Sequence, residues 1–304
     1  MSDRRGWARG YDRRAWQRDG RDWPNRDASR FVRAAGLMWH VQVMGSGPAL
    51  LLAHGTGAAT HSWRALAPLL ARHFTVVAPD LPGHGFTESP ATARLSLLGM
   101  AKSLHGLLHA LNVRPVLAAG HSAGAAVLAR MTLDGQIAPR GLVSLNGAFV
   151  PLEGVPGQIF SPLARLLVGL PLLPQLFAWR AKDDAAVRQI LEGTGSRIEA
   201  RGVSLYGRVI RNPAHAAAAL GMMARWDLAP LMRDMPRLEV PLLLIVGAKD
   251  RAVPPAQAER VREVVPGASL ISMPGLGHLS HEERPEDTAA LILQFAEKVA
   301  AVPA

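Results

Sequence analysis

The sequence predicts an α/β protein: one mostly parallel sheet of eight strands, flanked by helices, with a helical lid insertion late in the chain. Three observations predict it. Short apolar runs such as those of 49-ALLLAHG-55 and 240-VPLLLIVGAKD-250 lack polar alternation, as strands buried on both faces do. These runs alternate with stretches of helical period, the pattern of parallel strands joined by crossover helices. From about 150 to 238 no strand-like run occurs, and then the alternation resumes.

Taken in order, residues 1–30 read as a basic arm, crowded with Arg and Asp around Trp7, Trp16 and Trp23. The arm has no sustained apolar period, so it is expected to be exposed and ordered only where its tryptophans dock. RFVRA and LMWHVQVMG read as a strand pair, followed by the turn GSGP. ALLLAHG is a short apolar run ending in Gly, HSWRALAPLLARH a helix, and FTVVAPD another buried strand. LSLLGMAKSLHGLLHALN has an amphipathic helical period. PVLAAG, AAVLARMTL and GLVSLNG continue as strand, helix and strand. After the insertion come the strand of VPLLLIVGAKD, the helix PPAQAERVREVV, the strand of ASLISMPGLGH and the closing helix PEDTAALILQFAEKVA. The expected parts are the arm (1–30), a core from 31–150 and 239–304, and a helical lid over 151–238. Such an insertion belongs at the carboxyl edge of the sheet, where open α/β sheets bind ligands.

The 304 residues carry a net charge of +10, and only four are Lys. Arg therefore supplies nearly all the positive charge, beside 29 Gly and 23 Pro. That pattern fits a compositional bias as well as an acidic partner or a membrane surface. No RRM, KH or zinc-finger pattern occurs, so nucleic acid is not expected. The absence of cysteine excludes disulfides, thiolate catalysis and Cys-based zinc sites. MSDRRGWARGYDRRAW has no apolar h-region, and no uninterrupted apolar 20-mer occurs. Neither a secretory signal nor a membrane-spanning helix is expected, and the expected location is cytoplasmic.

The chemistry centres on 116-VLAAGHSAGAAVL-128. Gly120-His121-Ser122-Ala123-Gly124 fits G-x-S-x-G. The pattern alone decides little in a glycine-rich chain, but here it follows a strand and opens a helix, as the chemistry demands. A sharp strand-to-helix turn lifts one hydroxyl out of the sheet, and side chains at Gly120 or Gly124 would collide with neighbouring elements. Serine needs a base. Of the 11 histidines, His278 lies in PGLGH just after the last strand, where a side chain can swing over the sheet edge. His281 competes, but it sits inside Ser280-x-x-Glu283, a capping-box pattern that starts the last helix. The orienting acid is expected at Asp250, directly after the strand LLLIVG, giving the chain order Ser122, Asp250, His278. An alternative acid position follows the preceding strand, where Asn146 stands and cannot carry charge. Asp80 and Asp227 are weaker candidates, Asp80 as part of a structural loop. The oxyanion hole is expected from the backbone N–H of Ala123 and a second from 54-HGTG-57, at Thr56 or Gly57. His54 reads as a structural loop histidine.

His105 and His109 stand four apart, but no Glu follows His105, so H-E-x-x-H is absent and no metal is expected. GSGP opens no helix, and no G-x-x-x-x-G-K-[ST] occurs, so no dinucleotide, ATP or other cofactor is expected.

With these landmarks in place, residues 31–300 resemble the α/β-hydrolase fold superfamily, through HGTGAATHSW, APDLPGHGFTES, GHSAGAA, VGAKD and GLGHLSHEERPE. More narrowly, DWPNRDASRFV with WHVQVMGSGPALLLAHGTGAATHSWR is similar to the magnesium-chelatase accessory α/β-hydrolases of bacteriochlorophyll biosynthesis. The resemblance implies a role near insertion of magnesium into protoporphyrin IX. It implies a porphyrin or porphyrin ester as hydrophobic substrate, magnesium-chelatase subunits as partners, and peripheral contact with the inner or photosynthetic membrane. It identifies no reaction. The apolar, proline-broken stretch 159-IFSPLARLLVGLPLLPQLFAW-179 suits a lid packed on the core or one over a large hydrophobic ligand. Arg180, Lys182, Arg188, Arg225 and Arg233 are available to hold its carboxylates. Two functions stay open: a serine hydrolase, and a porphyrin-binding or chaperone protein on a hydrolase scaffold. An adaptor using the arm is compatible with both.

Overall fold

Alternating side chains with both faces apolar build the sheet. β1 (Ser29–Ala34) and β2 (Leu37–Met44) pair antiparallel around Ala35 and Gly36, whose φ values of 49° and 76° suit a tight two-residue hairpin. β3 (Ala49–Ala53), β4 (Thr75–Pro79), β5 (Leu117–His121), β6 (Gly141–Leu145), β7 (Leu242–Gly247) and β8 (Ala268–Met273) follow. This computed structural model describes residues 13–151, 181 and 183–301. The sheet has eight strands in the order β1-β2-β4-β3-β5-β6-β7-β8. β2 runs antiparallel to β1 and β4, and all other neighbours are parallel. The mostly parallel, eight-stranded sheet is thus the one expected.

The described helices are α1 (Arg13–Asp19), α2 (Leu66–Leu70), α3 (Leu97–Leu111), α4 (Ala123–Leu133), α5 (Asp184–Gly193), α6 (Ala200–Ile210), α7 (Pro213–Met223), α8 (Ala229–Asp234), α9 (Ala256–Val264), α10 (Ser280–Glu283) and α11 (Pro285–Lys298). Two cores sandwich the sheet. On one face Leu51, Val77 and Ala118 pack with Leu104 and Leu108 of α3 and Val127 and Met131 of α4. On the other Leu50, Leu52, Val76 and Ala119 pack with Leu66 and Leu70 of α2 and Ile292 and Phe295 of α11. The period of two along each strand divides its side chains between these cores. α5 to α8 lie between β6 and β7, where the helical insertion was expected. Trp7, the stretch 159–179, Arg180 and Lys182 lie outside the described residues. No helix among the described residues is long and apolar enough to cross a membrane.

The described end of the N-terminal arm is ordered where its tryptophans dock, while Gln17, Arg18, Arg21, Asp22, Asp27 and Arg30 stay exposed. Trp23 is only 2 % exposed, and its Nε1 donates to Thr60 Oγ1 at 3.0 Å. Its ring meets Phe86 edge-on, and so does that of Trp16, which also packs on Phe31 and His40. Asp22 pairs with Arg201 and Arg208 of α6, at 2.6 Å each. Charge counting misses such docking, because a few aromatic rings supply the burial that the intervening Arg and Asp lack. Trp23→Ala is expected to cost about 3–5 kcal/mol, lowering Tm by on the order of 10 °C. Thermal melts of the two proteins check this.

Candidate active site

The carboxyl ends of β3, β5, β6, β7 and β8 meet at one edge. Register aligns Ala53 with Gly120, His121 with Leu145, and Gly247 with Met273. Each strand therefore delivers its following loop to the same place.

Ser122 stands between β5 and α4 with φ 51° and ψ −119°. A non-glycine residue holds such a conformation only when its surroundings enforce it. Here Ser122 N donates to Leu145 O at 3.0 Å, and Ser122 O accepts from Ala125 N and Ala148 N at 3.1 Å. The flanking glycines are required sterically. A Cβ on Gly120 would lie 2.5 Å from Ala125 N, and one on Gly124 would lie 2.1 Å from Ala53 O. Ala123 is the first residue of α4, so its N–H is among the donors that a helix start leaves free.

His278 and Asp250 come together as expected: His278 Nδ1 donates to Asp250 Oδ2 at 2.8 Å. Nε2 is the ring nitrogen left for another partner. Asp250 is tightly held. Its Oδ1 accepts from Ala252 N and Val253 N, both at 2.8 Å, and Oδ2 also accepts from Asn146 Nδ2 at 2.7 Å. The loop carrying His278 is pinned by the residue before the serine, since His121 Nε2 donates to His278 O at 2.9 Å. The two rings lie 4.7 Å apart.

One residue does more than the sequence suggested, and one local pattern is not realised. Asn146 stands uncharged after β6, as read from the sequence, but supports the acid: at φ 50° it donates to Asp250, and its Oδ1 accepts from Ser280 Oγ at 2.7 Å. Ser280 and Glu283 do not form a capping box. Ser280 Oγ is spent on Asn146, while Glu283 accepts from Gly277 N at 2.9 Å and Arg197 N at 3.0 Å. Both bind across loops rather than along the helix, because α10 is only four residues long.

The competing residues have other partners. His281 is fully buried and its Nε2 bonds Ser62 Oγ at 2.8 Å. Burial, with His278 and Arg64 nearby, pushes its pKa down to about 3, so it stays neutral. Ser62 Oγ in turn donates to Glu282, which also accepts from Tyr206 and pairs with Arg64. Asp80 accepts from His40, Thr60 N and Phe86 N and lies buried in a structural loop. Asp227 accepts from Ala229 N just before α8. His54 links two loops, donating from Nδ1 to Gly55 O and accepting Leu81 N at Nε2, both at 2.8 Å. His105 bonds Gln136 O, and among the described residues no group of three or more His, Asp or Glu could hold a metal. Arg188, Arg225 and Arg233 are exposed.

The segment 54–57 closes the edge beside Ser122. A Cβ on Gly55 would lie 3.0 Å from Ser122 Cβ and 2.8 Å from His121 Nδ1, so glycine permits the close approach. Ala58 N donates to Gly55 O at 3.2 Å, and Gly57 has φ 76°, which makes 55–58 a turn with its third residue in the left-handed region. Thr56 Oγ1 donates to Met222 Sδ at 3.6 Å.

The sequence profile described as "Alpha/beta hydrolase family" matches residues 50–291. The chain belongs to the α/β-hydrolase family. It is 39 % identical over 278 residues to the magnesium-chelatase 30 kDa subunit of Rhodobacter capsulatus, covering 91 % of this chain and 97 % of that protein. It is 31 % identical over 262 residues to pyrrolizixenacetamide deacetylase of Xenorhabdus hominickii, covering 83 % and 91 %. The crystal structure of the epoxide hydrolase CorEH superposes with a TM-score of 0.75 at 22 % identity, over 89 % of this chain and 99 % of that one, which bears on the fold alone. As an α/β-hydrolase, the chain keeps its candidate site at the carboxyl sheet edge, the position from which open α/β sheets bind ligands.

Proposed function

We propose that this α/β-hydrolase cleaves an ester or similar acyl bond of a hydrophobic substrate. The 2.8 Å bond from His278 Nδ1 to Asp250, beside a serine held at φ 51°, carries the reading. Ser122 Oγ attacks the acyl carbon while His278 Nε2 accepts the hydroxyl proton. The carbonyl π electrons move onto oxygen, which the Ala123 N–H and a donor of Thr56 or Gly57 stabilise. Collapse expels the alcohol, which takes the proton from His278. Water, deprotonated by His278, then attacks the acyl-serine; the intermediate collapses, releasing the acid and returning the proton to Ser122. Asp250 keeps the imidazole in the required tautomer and stabilises its charged form.

The likeness to a protein named as a magnesium-chelatase subunit supports a place beside magnesium insertion into protoporphyrin IX, with a porphyrin ester as substrate and chelatase subunits as partners. The helices between β6 and β7 act as the lid in this reading. Contact with the membrane surface is peripheral. Labelling by a fluorophosphonate tests the nucleophile, since the probe needs an activated serine and an oxyanion hole but little substrate fit. Wild type is expected to label, and Ser122→Ala and His278→Ala to lose labelling. A folded wild type that does not label overturns the hydrolase reading.

That same relative's name favours one second reading, a porphyrin carrier that does no chemistry. A folded Ser122→Ala variant would then restore pigment synthesis in a deletion strain.

A further inference from the structure

His215 lies on α7, outside the sheet and its following loops, yet it touches the segment expected to bind the oxyanion. It is buried, and both ring nitrogens are used. Nε2 meets Gly57 O at 3.1 Å, and Nδ1 meets Gly85 N at 3.0 Å. A carbonyl only accepts and a backbone N–H only donates, so the ring must be neutral, with its proton on Nε2. Burial supports this, pushing the His215 pKa down to about 4 against the smaller opposing effect of Gly57 O.

The central peptide of the turn 55–58 joins Thr56 to Gly57. Its N–H, that of Gly57, is one of the two candidates for the second oxyanion donor, beside that of Thr56. With Gly57 at φ 76°, that N–H has one orientation; a flip of the peptide would turn it away from the site. α7 grips both sides of this peptide. His215 binds the Gly57 carbonyl on one side, and Met222, also buried, accepts from the Thr56 hydroxyl on the other. α7 is seated at the same time on the loop after β4: a Cβ on Gly83 would lie 2.4 Å from Ala218 Cβ, and Gly85 N is bound by His215.

We propose that His215 is a positioning residue, which holds the turn 55–58 in its oxyanion-binding orientation by donating to Gly57 O, the carbonyl of the peptide that follows Thr56–Gly57. The assignment rests on the hydrolase reading for its consequence, but the clamp is a property of the turn. It makes the donor set depend on α7 being seated, so a helix from the stretch between β6 and β7 completes a hole that the core alone leaves loose.

Two substitutions separate the two bonds of the ring. The amide nitrogen of glutamine reaches where Nε2 stands, so His215→Gln keeps a donor for Gly57 O. The amide oxygen of asparagine stands where Nδ1 does, so His215→Asn keeps only the acceptor for Gly85 N. Amide hydrogen exchange over 54–58 is read in both variants, beside the rate of fluorophosphonate labelling and kcat and KM for an activated ester. In His215→Asn, exchange is expected to quicken about tenfold. Labelling and kcat are expected to fall about a hundredfold, with KM little changed. His215→Gln is expected to stay within about threefold of wild type on each readout. Exchange that is the same in the two variants overturns the clamp, whatever the labelling does. Absent labelling in wild type overturns the hydrolase reading instead and leaves exchange to decide on His215. If either variant fails to fold, Met222→Leu tests the same peptide from its other side. Faster exchange over 54–58 there supports the clamp, and unchanged exchange overturns it.

Discussion

Asp250→Asn is expected to reduce fluorophosphonate labelling and ester turnover about ten-thousandfold while leaving the fold intact. The reason lies in the four bonds of the carboxylate. Oδ1 accepts from Ala252 N and Val253 N, so an asparagine placed here turns its oxygen that way. Its amide nitrogen then faces His278 Nδ1 and Asn146 Nδ2, both of which donate in the native arrangement. His278 must respond by moving its proton to Nε2, the nitrogen that has to receive the serine proton. The base is then blocked although every heavy atom stays near its place. Asn146 is the control. Asn146→Ala removes one donor to Asp250 and leaves the tautomer, so a loss of only about tenfold is expected. Labelling rates of the two variants, measured beside their melting temperatures, check this. Equal losses would mean that Asp250 acts only by holding the loop.

Stability is expected to fall steeply between pH 7 and pH 5, well before the carboxylates protonate. Six buried histidines, His54, His61, His84, His121, His215 and His281, are held below the usual value, in each case chiefly by burial. The unfolded chain binds protons at these rings near 6.5, and the folded chain resists. Below 6.5 the unfolded state therefore holds more protons, so stability drops as pH falls and contributes no slope above that value. His215 at about 4 and His281 at about 3 each cost about 2 kcal/mol by pH 5. Together that is a large share of the usual 5–15 kcal/mol of a folded domain. Asp80 works in a lower window. Burial raises its pKa, but His40 and its hydrogen bonds win and hold it below the usual carboxylate range. Its stabilisation is complete above about 4 and lost only as pH falls further. Urea unfolding at pH 7.5, 6 and 5 separates the two; a flat midpoint over that range would contradict the histidine account.

Most of the sheet was legible, because buried strands announce themselves as apolar runs and the runs came in their eventual order. That Ser122, Asp250 and His278 each follow a strand end was legible for a related reason, since parallel strands deliver their ends to one edge. What escaped were contacts between loops. The support that Asn146 gives Asp250 escaped, because its charge was weighed and its amide was not. Ser280 and Glu283 fitted a local pattern, yet their partners, Asn146, Gly277 and Arg197, belong to other loops. His215 carried no motif at all. A helical histidine among alanines shows its use only when the helix lands on Gly57 and Gly85. Trp23 was noticed, but composition could not say what it would dock against.

The seat of Trp23 and Asp22 also sets an order of events during synthesis. Asp22 waits for Arg208, which is 186 residues later in the chain. At the usual pace of translation, about 5–20 residues per second, that gap lasts about 10–40 s. Asp22 is therefore among the last residues to settle: Trp16 and Trp23 can meet Phe86 long before, but the packing of Trp23 with Leu205 and Val209 waits until α6 has left the ribosome.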